Sequence, residues 1–142
     1  MERIVGIDYG KKRTGIAVSD PLGIFASALE TLPSTGVVGF LKNYTQEERV
    51  VRFVVGYPLN LNGEPAEGAT YVCQFLNLLK KHFPEIPVTL EDERFTSKMA
   101  FQAMIDGGVK KMARRDKSMV DKISAAIILQ SYLDRADKAT VE

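Results

Sequence analysis

Residues 2–19 read ERIVGIDYGKKRTGIAVS. Two β-rich apolar runs, 2–9 and 14–19, flank Gly10-Lys11-Lys12-Arg13, a connector short enough for a hairpin. A third strand, Ile24 to Leu32, follows the turn Asp20-Pro21-Leu22-Gly23. Beyond it the pattern changes period. Ser34 to Glu48 reads as a helix with Val37, Val38, Leu41 and Tyr44 near one face. Arg49 to Gly56 (RVVRFVVG) is a nearly continuous apolar run, the pattern of a strand covered on both faces. Tyr57 to Glu67, rich in proline, asparagine and glycine, is a loop. Ala69 to Phe83 reads as an amphipathic helix with Val72, Phe75, Leu76 and Leu79 inward, punctuated by Pro84 and Pro87. Val88-Thr89-Leu90 is a short strand running into Glu91-Asp92-Glu93-Arg94. Ser97 to Ile105 is helical and stops at Gly107-Gly108. Residues 109–117 form a basic connector, and Ser118 to Ala136 a long helix. A hairpin meander followed by β-α-β crossovers implies an α/β fold. It predicts a mixed five-stranded sheet in the order 3-2-1-4-5, with the first strand central and helices on both faces.

A chain of 142 residues is expected to form a single domain, residues 1–138, with a frayed tail at 139–142. Hydrophobic residues at 45% and charged residues at 26% exclude bulk disorder. No apolar run approaches the ~20 residues of a membrane span, and the N-terminus MERIVGIDYG lacks the apolar core of a signal peptide. A cytoplasmic protein is therefore expected. The single cysteine, Cys73, excludes an internal disulfide and a thiolate zinc cluster, and the single histidine, His82, excludes multi-histidine metal sites. Enzymatic chemistry, if present, rests on carboxylates. Net charge is only +1, but the basic residues are bunched. Lys11, Lys12 and Arg13 form one run, and Lys110, Lys111, Arg114, Arg115 and Lys117 a second. Either alone fits a solvated loop; two in an otherwise neutral chain point to a phosphate-rich partner.

Three groups of acids stand out. Asp8, in Gly6-Ile7-Asp8-Tyr9-Gly10, sits at the end of the central strand, where it reads either as a turn residue or as a ligand beside a loop that phosphate can approach. Glu91-Asp92-Glu93 is either a solvated strand end or a set of acids around a cation. Strand alternation puts Glu91 and Glu93 on one face and Asp92 on the other. Asp121 shares a helical stripe with Ala125, Ile128 and Tyr132, which asks for a partner; the competing explanation is a capping box with Ser118. In the 3-2-1-4-5 order these acids can converge. Converging carboxylates bind hard divalent cations through oxygen, and a pair of such ions ~4 Å apart supports phosphodiester hydrolysis without histidine or cysteine. Tyr9 and Phe95 flank the acids and read as core packing or as stacking surfaces for a base.

Four ordered blocks carry a family resemblance: GIDYGKKRTGIAVSD at 6–20, VVGYPLNLNG at 54–63, EDERFTS at 91–97 and VDKISAAIILQSYL at 120–133. With these the chain resembles the YqgF/RuvX family of resolvases, also described as nucleases that process the 5′ end of precursor 16S ribosomal RNA. The resemblance implies a ribonuclease H-like fold similar to the crossover junction resolvase RuvC. It implies an acidic catalytic and metal-binding site at Asp8, Glu93 and Asp121 holding Mg²⁺ or Mn²⁺, as two ions. The expected partner is nucleic acid, precursor ribosomal RNA or branched DNA, with the ribosome precursor as a further partner. The expected contacts are Lys11, Lys12, Arg13, Arg94, Lys110, Lys111, Arg114 and Arg115. The expected assembly is a monomer or a weak homodimer. Thr14 and Ser97 depart from the residues common in the family. Two other classes stay open on the residues alone: a nucleic-acid or ribosome-binding module without catalysis, and an ATP-using enzyme suggested by the D-x-G turn.

Overall fold

The computed structural model describes residues 2–58, 68–92 and 117–141, the last segment with side chains from Met119 to Arg135. Strands β1 (Glu2–Tyr9), β2 (Arg13–Ser19) and β3 (Ala26–Pro33) form the meander. A 3-10 turn (Ser34–Gly36) leads into helix α1 (Val37–Glu47), then strand β4 (Arg49–Tyr57), helix α2 (Ala69–His82) and strand β5 (Val88–Asp92). The last helix, here α3, spans Lys117–Val141. The sheet order is β3-β2-β1-β4-β5, as the patterning predicts. The meander strands pair antiparallel, and β1, β4 and β5 run parallel. None of the described helices is long and apolar enough to cross a membrane. The expected helix at 97–105, the connector at 109–116 and most of the 57–67 loop lie outside the described residues.

Three boundaries differ from the sequence reading for a clear local reason; the last helix also runs on to Val141 instead of ending at Ala136, and β2, β4 and α2 shift by a single residue. The third strand starts at Ala26 because the Asp20 carboxylate accepts the N–H groups of Ile24 (2.7 Å) and Phe25 (3.0 Å), which holds both in the turn. Those bonds, the Phe25 bond foremost, lower the pKa of Asp20. The helix expected from Ser34 starts at Val37 because Ser34 is tied back to the first hairpin: its N–H donates to the Lys12 carbonyl and its Oγ to the Gly10 carbonyl (2.6 Å). Strand β5 continues through Glu91 and Asp92 because parallel pairing sets Gly56 against Glu91 and Tyr57 against Asp92.

Both faces of the sheet are covered. On one, Val5, Ile7, Ile16, Phe53 and Val55 pack under Val37 and Leu41 of α1 and Val72, Phe75 and Leu79 of α2. Burying each phenylalanine there contributes about 2–3 kcal/mol. On the other face, Ala17 and Val54 meet Ala125, Ile128, Leu129 and Leu133 of α3. The stripe predicted for Asp121 thus turns toward the sheet: Ala125 and Ile128 are buried and Tyr132 packs beside them.

The second face works only because two strand residues lack side chains. A Cβ on Gly6 would lie 2.6 Å from Leu129 Cβ, and one on Gly15 would run into the backbone carbonyl of Asp121. Polar ties then fix α3 at both sheet edges. Gln130 accepts the Ala26 N–H (2.8 Å) and donates to the Ile24 carbonyl (2.9 Å) at the β3 edge. At the β5 edge the buried Glu91 carboxylate pairs with Arg135 and accepts a hydrogen bond from Ser131. Arg135 also lies over the Tyr132 ring, as does Arg52, which donates to Thr89.

Two predictions follow from this packing. Gly15→Ala is expected to cost about 3 kcal/mol or more, since the obstacle is backbone. Gly39→Ala, at an α1 position open to solvent, should instead stabilise by about 1 kcal/mol. Urea unfolding of both variants checks the contrast. Arg135→Ala is expected to cost about 2 kcal/mol by leaving a buried carboxylate without its cation. Glu91→Gln in that background should recover part of the loss; additive losses in the double variant would refute the coupling.

Candidate active site

Asp8 is the penultimate residue of β1 and is partly buried. Gly6, two positions earlier, faces Leu129, so strand alternation sends the Asp8 side chain to the same α3 face. Across the ladder Asp8 is paired with Gly15, the residue whose missing side chain admits the Asp121 backbone. Paired strand residues lie ~5 Å apart. Asp8 and Asp121 are therefore brought to one end of the sheet, on one face, each next to the Gly15 position. On the other side the parallel register runs from Ile7 against Val55 to Gly56 against Glu91, which carries Asp8 next to Gly56. The α3 face then reads Gly15, Asp8, Gly56, Glu91 across four strands, so no side chain flanks Asp8 from either neighbour. The position is the carboxyl end of the parallel strands, where α/β sheets bind their ligands.

Asp121 has a partner: Arg13 Nε donates to Asp121 Oδ2 at 2.8 Å. Arg13 opens β2, two residues before Gly15 and on the same face. The turn that presents it is fixed by backbone and buried hydroxyls. Gly10 N–H donates to the Arg13 carbonyl (3.0 Å). Since the Ser34 hydroxyl proton goes to the Gly10 carbonyl, the fully buried Thr14 hydroxyl is the donor in its 2.8 Å bond to Ser34 Oγ. Ser34 is a structural residue that the sequence does not announce; a serine after Pro33 is too common a signal. The Thr14 hydroxyl thus has a structural use in this turn.

The other candidate residues divide. Lys11 is exposed and lies 5.6 Å from the Tyr71 ring centroid, over α2. Lys12 is exposed, with its carbonyl accepting from Ser34. Tyr9 commits its ring to the α2 face, stacked on Phe75 at 4.3 Å, so it is core packing. Glu91 is on the α3 face as alternation predicts, but it is engaged by Arg135 and Ser131. Cys73, expected on a core-facing helix, is exposed on α2. Glu93, Arg94, Lys110, Lys111, Arg114 and Arg115, Phe95 and Ser97 lie outside the described residues, as does the Ser118 side chain of the expected capping box.

Among the described residues no three His, Cys, Asp or Glu side chains gather into a metal cage; the acidic pair Asp8 and Asp121 is what they provide. This donor set fits a hard divalent cation, which takes one or two carboxylates and keeps several waters. The guanidinium already at Asp121 shows that a cation can be accommodated there.

Comparison with known proteins agrees with this architecture. Residues 2–135 match the family model described as "RuvX: Holliday junction resolvase". A Porphyromonas gingivalis protein named "Putative pre-16S rRNA nuclease" is 51% identical over 138 residues, covering 97% of this chain and 100% of its own. A Parabacteroides distasonis protein of the same name is 52% identical over 134 residues, covering 94% and 96%. Among solved structures, Thermus thermophilus RuvC with a Holliday junction substrate aligns at TM-score 0.58 and 20% identity over 96% of both chains. Fowlpox virus resolvase with Holliday junction DNA aligns at 0.61 and 10%, over 94% of this chain and 98% of its own. At those identities the two structures establish the fold, a ribonuclease H-like one. The chain belongs to the RuvX family, and by that membership it is a nuclease, a hydrolase of phosphodiester bonds.

Proposed function

We propose that the protein is a divalent-metal-dependent nuclease that processes the 5′ end of precursor 16S ribosomal RNA. The observation that carries the chemistry is the juxtaposition of Asp8 and Asp121 across Gly15. The RNA substrate rests on relatives near 50% identity over almost the whole chain, a stronger likeness than the fold-level one to junction resolvases. Asp8 and Asp121, with Glu93 one residue beyond the end of β5, would hold Mg²⁺ or Mn²⁺, as two ions. Metal bound there would polarise a phosphate and lower the pKa of an attacking water.

The chain's own residues do the rest. The glycine positions on the strands either side of Asp8, Gly15 and Gly56, add no side chain of their own to the approach of a phosphodiester. Lys11, Lys12, Arg13, Arg94, Lys110, Lys111, Arg114 and Arg115 would contact phosphates and offset the repulsion between an acidic site and a polyanion. Residues 1–138 would act as one domain, in the cytoplasm, as a monomer or weak homodimer on the ribosome precursor.

Purified protein is expected to shorten a 5′-extended 16S RNA fragment with Mn²⁺ or Mg²⁺ and to stop on chelation. Asp8→Asn should lower the rate by at least about 10³-fold, the loss of several kcal/mol of metal-dependent stabilisation, with an unchanged circular dichroism melt. Undiminished cleavage by Asp8→Asn would remove Asp8 from the mechanism. Cleavage of a four-way DNA junction in preference to the RNA would reassign the substrate.

A further inference from the structure

The Arg13–Asp121 contact is out of place for two residues expected to bind different things. Asp121 is a candidate metal ligand and Arg13 a candidate phosphate contact, yet here they satisfy each other at 2.8 Å. The Arg13 backbone is held by the Gly10 N–H and by β2 pairing, so its side chain is the part that can move. That side chain is 43% exposed and the Asp121 side chain 23%, which leaves the guanidinium a path through solvent. The pair is weak by the standard of such pairs, about 0–1 kcal/mol. A doubly charged cation at Asp121 would both compete with the guanidinium for the carboxylate and repel it. A guanidinium fork also matches the oxygens of a phosphate.

We infer that Arg13 is an exchangeable counter-cation. In the metal-free protein it neutralises Asp121 beside Asp8; when a divalent ion takes Asp121, the guanidinium turns to the phosphate of the substrate. Metal and nucleic acid then favour each other through one side chain, and the coupling is reciprocal. This inference rests on the metal-site reading above and adds to it a definite role for Arg13 in each state.

The test uses the full chain in four forms: wild type, Arg13→Gln, Arg13→Lys and Asp121→Asn. Mn²⁺ alone is titrated by the electron paramagnetic resonance signal of the free ion. Arg13→Gln is expected to bind Mn²⁺ roughly fivefold more tightly, the size of one partly exposed ion pair, and Arg13→Lys to stay near wild type because the charge is kept. Affinity for a non-cleavable 2′-O-methyl RNA oligonucleotide is then measured against salt. With Mn²⁺, Arg13→Gln should lower the salt slope by about 0.7, one single-strand phosphate contact. With chelator it should match wild type, because there Arg13 is engaged by Asp121.

An equal or weaker Mn²⁺ affinity in Arg13→Gln overturns the exchange while leaving the site reading intact, provided Asp121→Asn loses the ion. A slope change of the same size with and without Mn²⁺ also overturns it, since Arg13 would then contact phosphate in both states. No Mn²⁺ binding by the wild type sinks the site reading and the inference together.

Discussion

A helix lies against two strands with no strand side chain between them at Gly6 and Gly15. Each glycine sacrifices about 0.5–1 kcal/mol of strand stability through its larger unfolded-state entropy. What is gained is distance. The Asp121 backbone reaches the surface of β2, where any side chain would have held it away. Because Gly15 is the ladder partner of Asp8, the place where α3 comes nearest the sheet is also the place where a central-strand carboxylate emerges. Backbone contact of this kind transmits position with little play, since it does not depend on a rotamer. The seating of α3 thus sets where Asp121 stands along β2 and brings it within reach of Arg13.

The two sheet faces divide the work accordingly. The α1/α2 face carries the bulky side chains, with Phe53 and Phe75 fully enclosed, Tyr9 stacked on Phe75 and Phe83 edge-on to Phe53 at its margins. The α3 face is built from alanine, valine, leucine, isoleucine and glycine, with Tyr132 packed beside them. Small residues let α3 settle close but leave less area to hold it. The polar ties compensate: Gln130 caps the start of β3 and Arg135 neutralises Glu91 on β5. With both edges fixed, the α3 segment between Asp121 and Leu129 has one position over β1 and β2.

Much of this is legible in the sequence. RVVRFVVG demands a strand covered on both faces, and the short connector 10–13 demands a hairpin, so the strand order follows from few alternatives. The inward stripe of Asp121 is legible from helical periodicity. Its partner is not, because Arg13 lies 108 positions away and a basic turn looks like any solvated loop. The same limit hides Ser34, whose hydroxyl matters only through Gly10 and Thr14 brought beside it by the meander. Strand β5 is underestimated for a related reason: acids suggest a strand end, whereas Arg135 from a distant helix makes Glu91 compatible with burial. Local pattern reports what each residue prefers, and only the assembled sheet reports which charges are neutralised.

Charge balance connects the site to its proposed substrate. Taken by themselves, the Asp8 and Asp121 carboxylates and the Arg13 guanidinium sum to one net negative charge, and Glu93, where the family pattern places it, would make two. A single divalent ion balances that set with Arg13 in place. A second ion is accommodated more easily if the guanidinium leaves, because a cation already at Asp121 raises the electrostatic cost of each further positive charge. With two ions bound and Arg13 turned outward, the three carboxylates would leave one unit of positive charge, which together with the guanidinium would favour a phosphodiester anion. An arginine on a fixed turn can serve both states because its backbone stays with β2 while its charge moves. A lysine there would balance the metal-free acids as well, but its point charge would offer the phosphate no fork.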